Sequence, residues 1–317
     1  MRTRIVYVLV FDDTNYYFEQ ALVSVCSARM HNPSADILVV TDKDSERLIT
    51  GWRKEIYRYV SSVVGVDVPH ELNKMQRSRW LKTNLRNLIG GDYLFIDTDT
   101  VICRPLDDID RVEEDICAVA DWHCMLSQAR TKDYTLGKFA KMGEECNLQS
   151  VYFNSGVFYV RDTDATRTFY REWHKIWKDG CTKGVWIDQV SLAVTDKQLG
   201  HIIRELSGEW NCQIEGKFVN YLHGAYILHY YAFSNDWDQT VFYFKNRMVY
   251  ENIRAVEGIA LPLLKMLKNP YKAFLPNYEM LSGKALRMYQ EYQPMFRLYG
   301  SPRRYRLLKW FVRLLSI

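Results

Sequence analysis

The chain has 317 residues, 48% hydrophobic and 25% charged, which is enough to bury the core of one large α/β domain without forcing a second. Seven cysteines, at 26, 103, 117, 124, 146, 181 and 212, are scattered without Cys-x-x-Cys spacing, so neither a zinc site nor a disulfide framework is indicated. The net charge of +4 hides an asymmetry: residues 245–317 hold 14 Lys and Arg against 4 acids, so the preceding chain is acidic.

Ile5 to Val10 predicts a first buried strand. The run is short, acidic residues follow at once and no small-residue cleavage site appears, so neither a signal peptide nor a spanning helix is expected. Reduced cytosol is the expected compartment. Phe11-Asp12-Asp13-Thr14-Asn15 reads as a polar turn before a helix starting near Tyr16, with Phe18, Ala21, Leu22, Val25 and Cys26 as its core stripe. Asp36 to Thr41 predicts a second strand, and strand, helix, strand implies a parallel unit. A further strand is expected over Tyr57 to Val64. A basic helix follows from about Lys74 to Leu88, stopped by Gly90-Gly91. Arg79, Lys82 and Arg86 recur at three and four residues and lie near one face, as a solvated surface or a phosphate contact.

Tyr93-Leu-Phe-Ile96 reads as a strand buried on both faces, and it ends in Asp97-Thr98-Asp99. Ligands of open α/β sheets collect beyond the carboxyl ends of such strands. Two carboxylates this close repel each other, and burial is costly unless a cation or protons compensate. Mg²⁺ or Mn²⁺ takes oxygen ligands of this kind, with substrate phosphates completing the shell.

Ile116 to Ala120 predicts another strand, with Asp121-Trp122 at its end. Leu126 to Ser150 is polar and weakly periodic, a mobile loop or a small helical insert. Val151 to Val160 is an aromatic strand with a small polar step, in which Gly156 permits a close approach. A helix over Ala165 to Trp177 leads to Asp188-Gln189, which opens the next one. Tyr226 to Tyr231 is a late apolar strand carrying His229, and no internal repeat is visible.

In this order, the Asp13-Thr-Asn-Tyr16 turn, the basic helix before Asp97-Thr-Asp99, Phe153-Asn154-Ser155-Gly156, Asp188-Gln189 and Ile227-Leu-His229-Tyr230 resemble a nucleotide-sugar glycosyltransferase of the GT-A fold. The likeness is strongest to the retaining family-eight group, which includes bacterial lipopolysaccharide galactosyltransferases and glycogenin, and it covers roughly residues 5 to 235. It implies a Rossmann-like mixed central sheet flanked by helices, and a metal held by Asp97, Asp99 and His229, with His223 as the competing histidine. It implies donor contacts by Asp12, Asp13, Tyr16, Arg79, Lys82, Asp97, Thr98, Asn154 and Ser155. Asp12 or Asp13 would accept from uracil, Tyr16 or Tyr17 would stack on it, and Arg79 or Lys82 would reach the diphosphate. Asp188 and Gln189 would flank the anomeric carbon, in a front-face displacement or a double displacement through Asp188. The family usually places Gly three and Lys six residues after its histidine, where this chain has Ala232 and Asn235. Arg79, Lys82 or Lys245 would then substitute for that cation.

From Pro302 the chain alternates Arg303, Arg304, Arg306, Lys309 and Arg313 with Leu307, Leu308, Trp310, Phe311, Val312, Leu314 and Leu315, the pattern of an interfacial helix. The expected organisation is a catalytic domain over 1–240 and a basic helical extension over 241–317 that meets a membrane or packs on protein. The expected function is metal-dependent transfer of a hexose from a UDP-sugar to a glycan or lipid-linked glycan on the inner face of the cell membrane, without nucleic acid. Competing readings are a sugar-1-phosphate nucleotidyltransferase, which should show a Gly-rich basic loop after the first strand, and a catalytically silent glycan-binding scaffold.

Overall fold

Apolar residues at successive positions of the early strands have two faces to cover, and the chain covers both. The computed structural model describes residues 1–214, 218–231 and 242–274, together with Leu307, Trp310, Phe311 and Leu314. Its strands are β1 (Arg4–Leu9), β2 (Ile37–Asp42), β3 (Ser62–Val66), β4 (Tyr93–Ile96), β5 (Thr100–Ile102), β6 (Ile116–Ala120), β7 (Phe153–Val160), β8 (Ile203–Glu205), β9 (Cys212–Gln213) and β10 (Ile227–His229). Its α-helices are α1 (Tyr17–His31), α2 (Lys43–Arg47), α3 (Lys74–Leu88), α4 (Lys132–Met142), α5 (Asp164–Thr182), α6 (Asp188–Gln198), α7 (Val219–Leu222), α8 (Arg247–Ala255) and α9 (Leu261–Lys268).

Seven strands form a mixed sheet in the order β3-β2-β1-β4-β7-β6-β8. β3, β2, β1 and β4 run parallel, while β7 is antiparallel to both β4 and β6. Because strand side chains alternate, Ile5, Tyr7 and Leu9 join one core with α1, and Val6, Val8 and Val10 join the other with α3 and α5. A small second sheet, β5-β10-β9, lies on the α1 side.

The basic helix occupies Lys74–Leu88 as its sequence predicts, with Asn73 and Gln76 forming a capping box at its start. The strand predicted over Tyr57 to Val64 forms a few residues later, as β3 (Ser62–Val66), and Tyr57 and Arg58 end a 3₁₀ turn, Gly51–Arg58. Trp52 and Ile56 are one helical turn apart and both face inward, Ile56 fully buried and Trp52 edge-on to Phe18 at 5.4 Å. The stretch 126–150 takes its helical form: α4 seals Phe139 and Met142 against Tyr152 and Val190, and Gly143, at φ 76°, ends it.

Residues 242–274 share the core of the preceding chain. Phe242, Phe244, Tyr250 and Leu267 are fully buried in the α1 cluster. Arg254 of α8 donates to the buried Glu19 of α1 at 2.6 Å. All seven cysteines are free.

Candidate active site

The turn Asp97-Thr98-Asp99 is pinned at both ends. Asp97 N–H donates to the Gly156 carbonyl at 2.8 Å, and Thr100 Oγ1 donates to the Asp97 carbonyl at 2.8 Å. β10 pairs antiparallel with β5, setting His229 opposite Thr100, and Tyr230 N–H donates to the Asp99 carbonyl at 3.1 Å. The small sheet therefore carries a residue 130 positions away to the end of β4. His229 Nε2 lies 3.2 Å from Asp99 Oδ1, and ligand atoms of Asp97, Asp99 and His229 all fall within 4.8 Å of one another. His223 is exposed and lies outside this cluster.

α3 supplies the opposing charge. Arg79 and Lys82, one turn apart, both reach Asp188, the first residue of α6: Arg79 Nε is 3.1 Å from Oδ1 and Lys82 Nζ 3.1 Å from Oδ2. Lys82 Nζ also donates to Asp97 Oδ1 at 3.2 Å and to Ser155 Oγ at 3.3 Å, and is 3% exposed. Burial pushes the Asp188 carboxyl up, but Lys82 and Arg79 more than offset it and hold it at about 2. Burial drives the Asp97 carboxyl above the usual range, against Lys82 and with the help of Asp99. Arg86 serves another purpose: it donates to the Ile89 and Gly91 carbonyls and stacks on Tyr93, fastening the end of α3.

The donor set fits a divalent cation. Two carboxylates and an imidazole converge at a strand end, and the one cation among the described residues within ion-pair distance of Asp97, the Lys82 ammonium, is shared with Asp188. Behind them runs a buried polar chain. Asn154 Nδ2 donates to Asp121 Oδ1 and to the Tyr231 hydroxyl, each at 2.8 Å, and Asn211 Nδ2 donates to Asn154 Oδ1 at 2.8 Å. Gln189, the second residue of α6, lies near Asp121. Burial raises the Asp121 carboxyl, with Asn154 and Gln189 opposing.

No protein-family model matches the chain, and no curated protein matches its sequence. Solved structures do. The bifunctional glycosyltransferase WbbM superposes with TM-score 0.53 at 15% identity, over 84% of this chain and 52% of that one, so the chain spans about half of WbbM. The galactosyltransferase LgtC, in complex with donor and acceptor sugar analogues, superposes with TM-score 0.53 at 13% identity, over 80% of this chain and 95% of that one. Mouse xyloside xylosyltransferase 1 superposes with TM-score 0.50 at 12% identity, over 72% and 97%. The chain has the GT-A glycosyltransferase fold. Fold does not fix chemistry, so function must be argued from the side chains.

Within the GT-A frame the first turn is already engaged. Asp12 Oδ1 accepts from Thr14 N–H at 2.9 Å and from Asn15 Nδ2 at 2.8 Å, and its carboxylate also pairs with Lys74. Asp13 is exposed and paired with Arg53, whose hydrogen bond lowers its pKa. The Tyr16 ring lies under the Arg254 guanidinium at 4.2 Å and 6.2 Å from the Tyr250 ring, so α8 covers the residue read as a base-stacking aromatic. Tyr17 is 42% exposed. Thr98 is half-buried between the two aspartates, and Asn154 and Ser155 are buried on β7. Lys245 is buried in the turn Tyr243–Lys245, and Ala232 and Asn235 lie outside the described residues.

His123, Asn211 and Gln213 belong to no motif in the sequence, yet they line the same buried network. Gln213 is fully buried; its Oε1 accepts from Trp122 N–H at 2.8 Å and the Tyr231 hydroxyl at 2.7 Å, and its Nε2 donates to the Ala120 carbonyl at 2.9 Å. It braces a local strain, because Trp122, His123 and Tyr231 all have positive φ, at 57°, 51° and 48°. Burial holds His123 at about 4, so its Nε2 accepts from Gln213 N–H at 3.1 Å. Buried polar residues in short irregular segments were the available signal.

Proposed function

We propose that the chain is a metal-dependent glycosyltransferase that moves a hexose from a UDP-sugar to a hydroxyl of a glycan or lipid-linked glycan, with retention of anomeric configuration. The observation that carries this is the meeting of Asp97, Asp99 and His229 beside the Arg79–Lys82–Asp188 group in a GT-A fold. Asp97, Asp99 and His229 would hold Mn²⁺ or Mg²⁺. Bound there, the cation supplies charge to the departing diphosphate.

The remaining roles follow from the chain's own groups. Lys82 and Arg79 keep Asp188 ionised, and a carboxylate tied to two cations is a poor nucleophile. Asp188 therefore acts by stabilising positive charge at the anomeric carbon, which favours front-face displacement over a covalent intermediate. Gln189, next to Asp188 at the start of α6 and near Asp121, would flank the same carbon. Ser155 would line the donor sugar, with Asn154 behind it and its amide engaged within the protein, and Thr98 and Tyr17 would meet the nucleotide.

The acceptor side rests on the tail. Leu307, Trp310, Phe311 and Leu314, spaced as one helix face, are helical and exposed, and basic residues surround them in sequence. An anionic membrane on the cytoplasmic side fits that combination, at roughly 1 kcal/mol per basic residue near the surface. Among the described residues no helix is long and apolar enough to cross a membrane. The function is tested by UDP release from UDP-hexoses with Mn²⁺ and with EDTA. Asp97→Ala/Asp99→Ala should abolish the metal-dependent fraction, and equal rates in variant and wild type would sink the reading.

A further inference from the structure

His229 offers its two ring nitrogens to different partners: Nδ1 lies 3.0 Å from Asn211 Oδ1, and Nε2 lies 3.2 Å from Asp99 Oδ1. Which end of the Asn211 amide faces the ring is set by the backbone two links away. Gly156 N–H can only donate, and it donates to Asn154 Oδ1 at 2.8 Å. The same oxygen takes a hydrogen bond from Asn211 Nδ2 at 2.8 Å, which turns the Asn211 oxygen toward His229. A carbonyl oxygen accepts only, so Nδ1 carries the proton. The Nε2 lone pair of the neutral ring then points at the Asp97–Asp99 pair.

Left to Asp99 alone, the neutral ring would take the opposite form. Nε2–H would donate to the carboxylate, and the nitrogen nearest the aspartates would have no lone pair to give. Asn211 is placed to prevent this. It is fully buried at the end of the turn Gly208–Asn211, directly before β9, which pairs with β10 so that Gln213 sits beside His229. Trp210 stacks on Tyr226 at 4.0 Å and 4°, clamping the turn to the start of β10. Gly156 leaves room for the ring: a Cβ there would stand 2.9 Å from His229 Nδ1.

We infer that Asn211 is a positioning residue that selects the metal-competent tautomer of His229, with its own orientation inherited from Gly156 through Asn154. The inference rests on the metal reading above. Residues that orient a metal-ligating histidine commonly change metal affinity 10- to 100-fold when replaced.

Asn211→Leu and Asn211→Asp separate this role from packing. Both remove the N–H groups donated to Asn154, but only leucine removes the oxygen facing Nδ1. NMR of the ¹⁵N-histidine-labelled protein in EDTA, at about pH 9, well above the ordinary histidine range, reads the tautomer directly; the His229 signals are those lost in His229→Asn. Wild type and Asn211→Asp should carry the proton on Nδ1, and Asn211→Leu on Nε2. Calorimetry with MnCl₂ should show Asn211→Leu weakened roughly 10- to 100-fold and Asn211→Asp close to wild type. A proton retained on Nδ1 in Asn211→Leu, or equal weakening in both variants, would overturn the inference. Wild type failing to bind Mn²⁺ would refute the metal reading, while the tautomer would still decide the role of Asn211.

Discussion

Replacing Asp188 by asparagine removes one charge with almost no change of shape, and the structure sets the size of the effect. The carboxyl is 3% exposed and held at about 2 by Lys82 and Arg79. An unfolded aspartate titrates near 3.9, so the difference of nearly two units is worth roughly 2–3 kcal/mol. Because the folded value is depressed, this stability is complete above the unfolded value and is lost as pH falls from about 4 through about 2. Asparagine mimics the protonated acid. Urea denaturation of both proteins in EDTA, at a series of pH values from 7 down to 3, should show wild type more stable by roughly 2–3 kcal/mol at neutral pH. That gap should narrow steadily below about pH 4. A gap that stays constant across the series would refute the assignment of Asp188 as a carboxylate clamped by two cations.

Lys82→Met leaves Asp97 and Asp188 without their shared ammonium, and denaturation in EDTA should show a loss of about 3–5 kcal/mol, partly restored by MnCl₂. Gly156→Ala drives a methyl group against the His229 ring; Mn²⁺ affinity by calorimetry should fall at least about tenfold while far-UV circular dichroism stays unchanged. Removal of residues 302–317 should free the protein from vesicles containing anionic lipid in a flotation assay, and unchanged flotation would remove the membrane from the account.

Much of the fold was legible because its signals are local. Buried runs such as Tyr93–Ile96, the Lys74–Leu88 helix and the Gly90-Gly91 stop are written in adjacent residues. Asp97, Asp99 and His229 could be named in advance, yet only the register of β10 on β5 brings them together. The strand predicted from Tyr57 starts five residues later, because the 3₁₀ turn Gly51–Arg58, which buries Ile56 and packs Trp52 on Phe18, takes its first two positions. Nothing near Tyr16 in sequence announces Arg254 and Tyr250, which pack on the ring expected to meet the nucleotide. Asn211 and Gln213 carry no pattern at all. Their importance comes from burial and from which atoms face them, which exist only once the two sheets have met.

The central claim is that the Asp97–Asp99–His229 site joins a metal to a nucleotide-sugar diphosphate. Thermal denaturation with UDP-hexoses, in Mn²⁺ and in EDTA, tests it most directly, since a ligand at about 100 times its dissociation constant adds about 2.7 kcal/mol to stability. The account predicts that at least one UDP-hexose raises the melting temperature only when Mn²⁺ is present, and that Asp97→Ala/Asp99→Ala abolishes the rise. Equal stabilisation in EDTA, or none by any UDP-hexose with Mn²⁺, would contradict it.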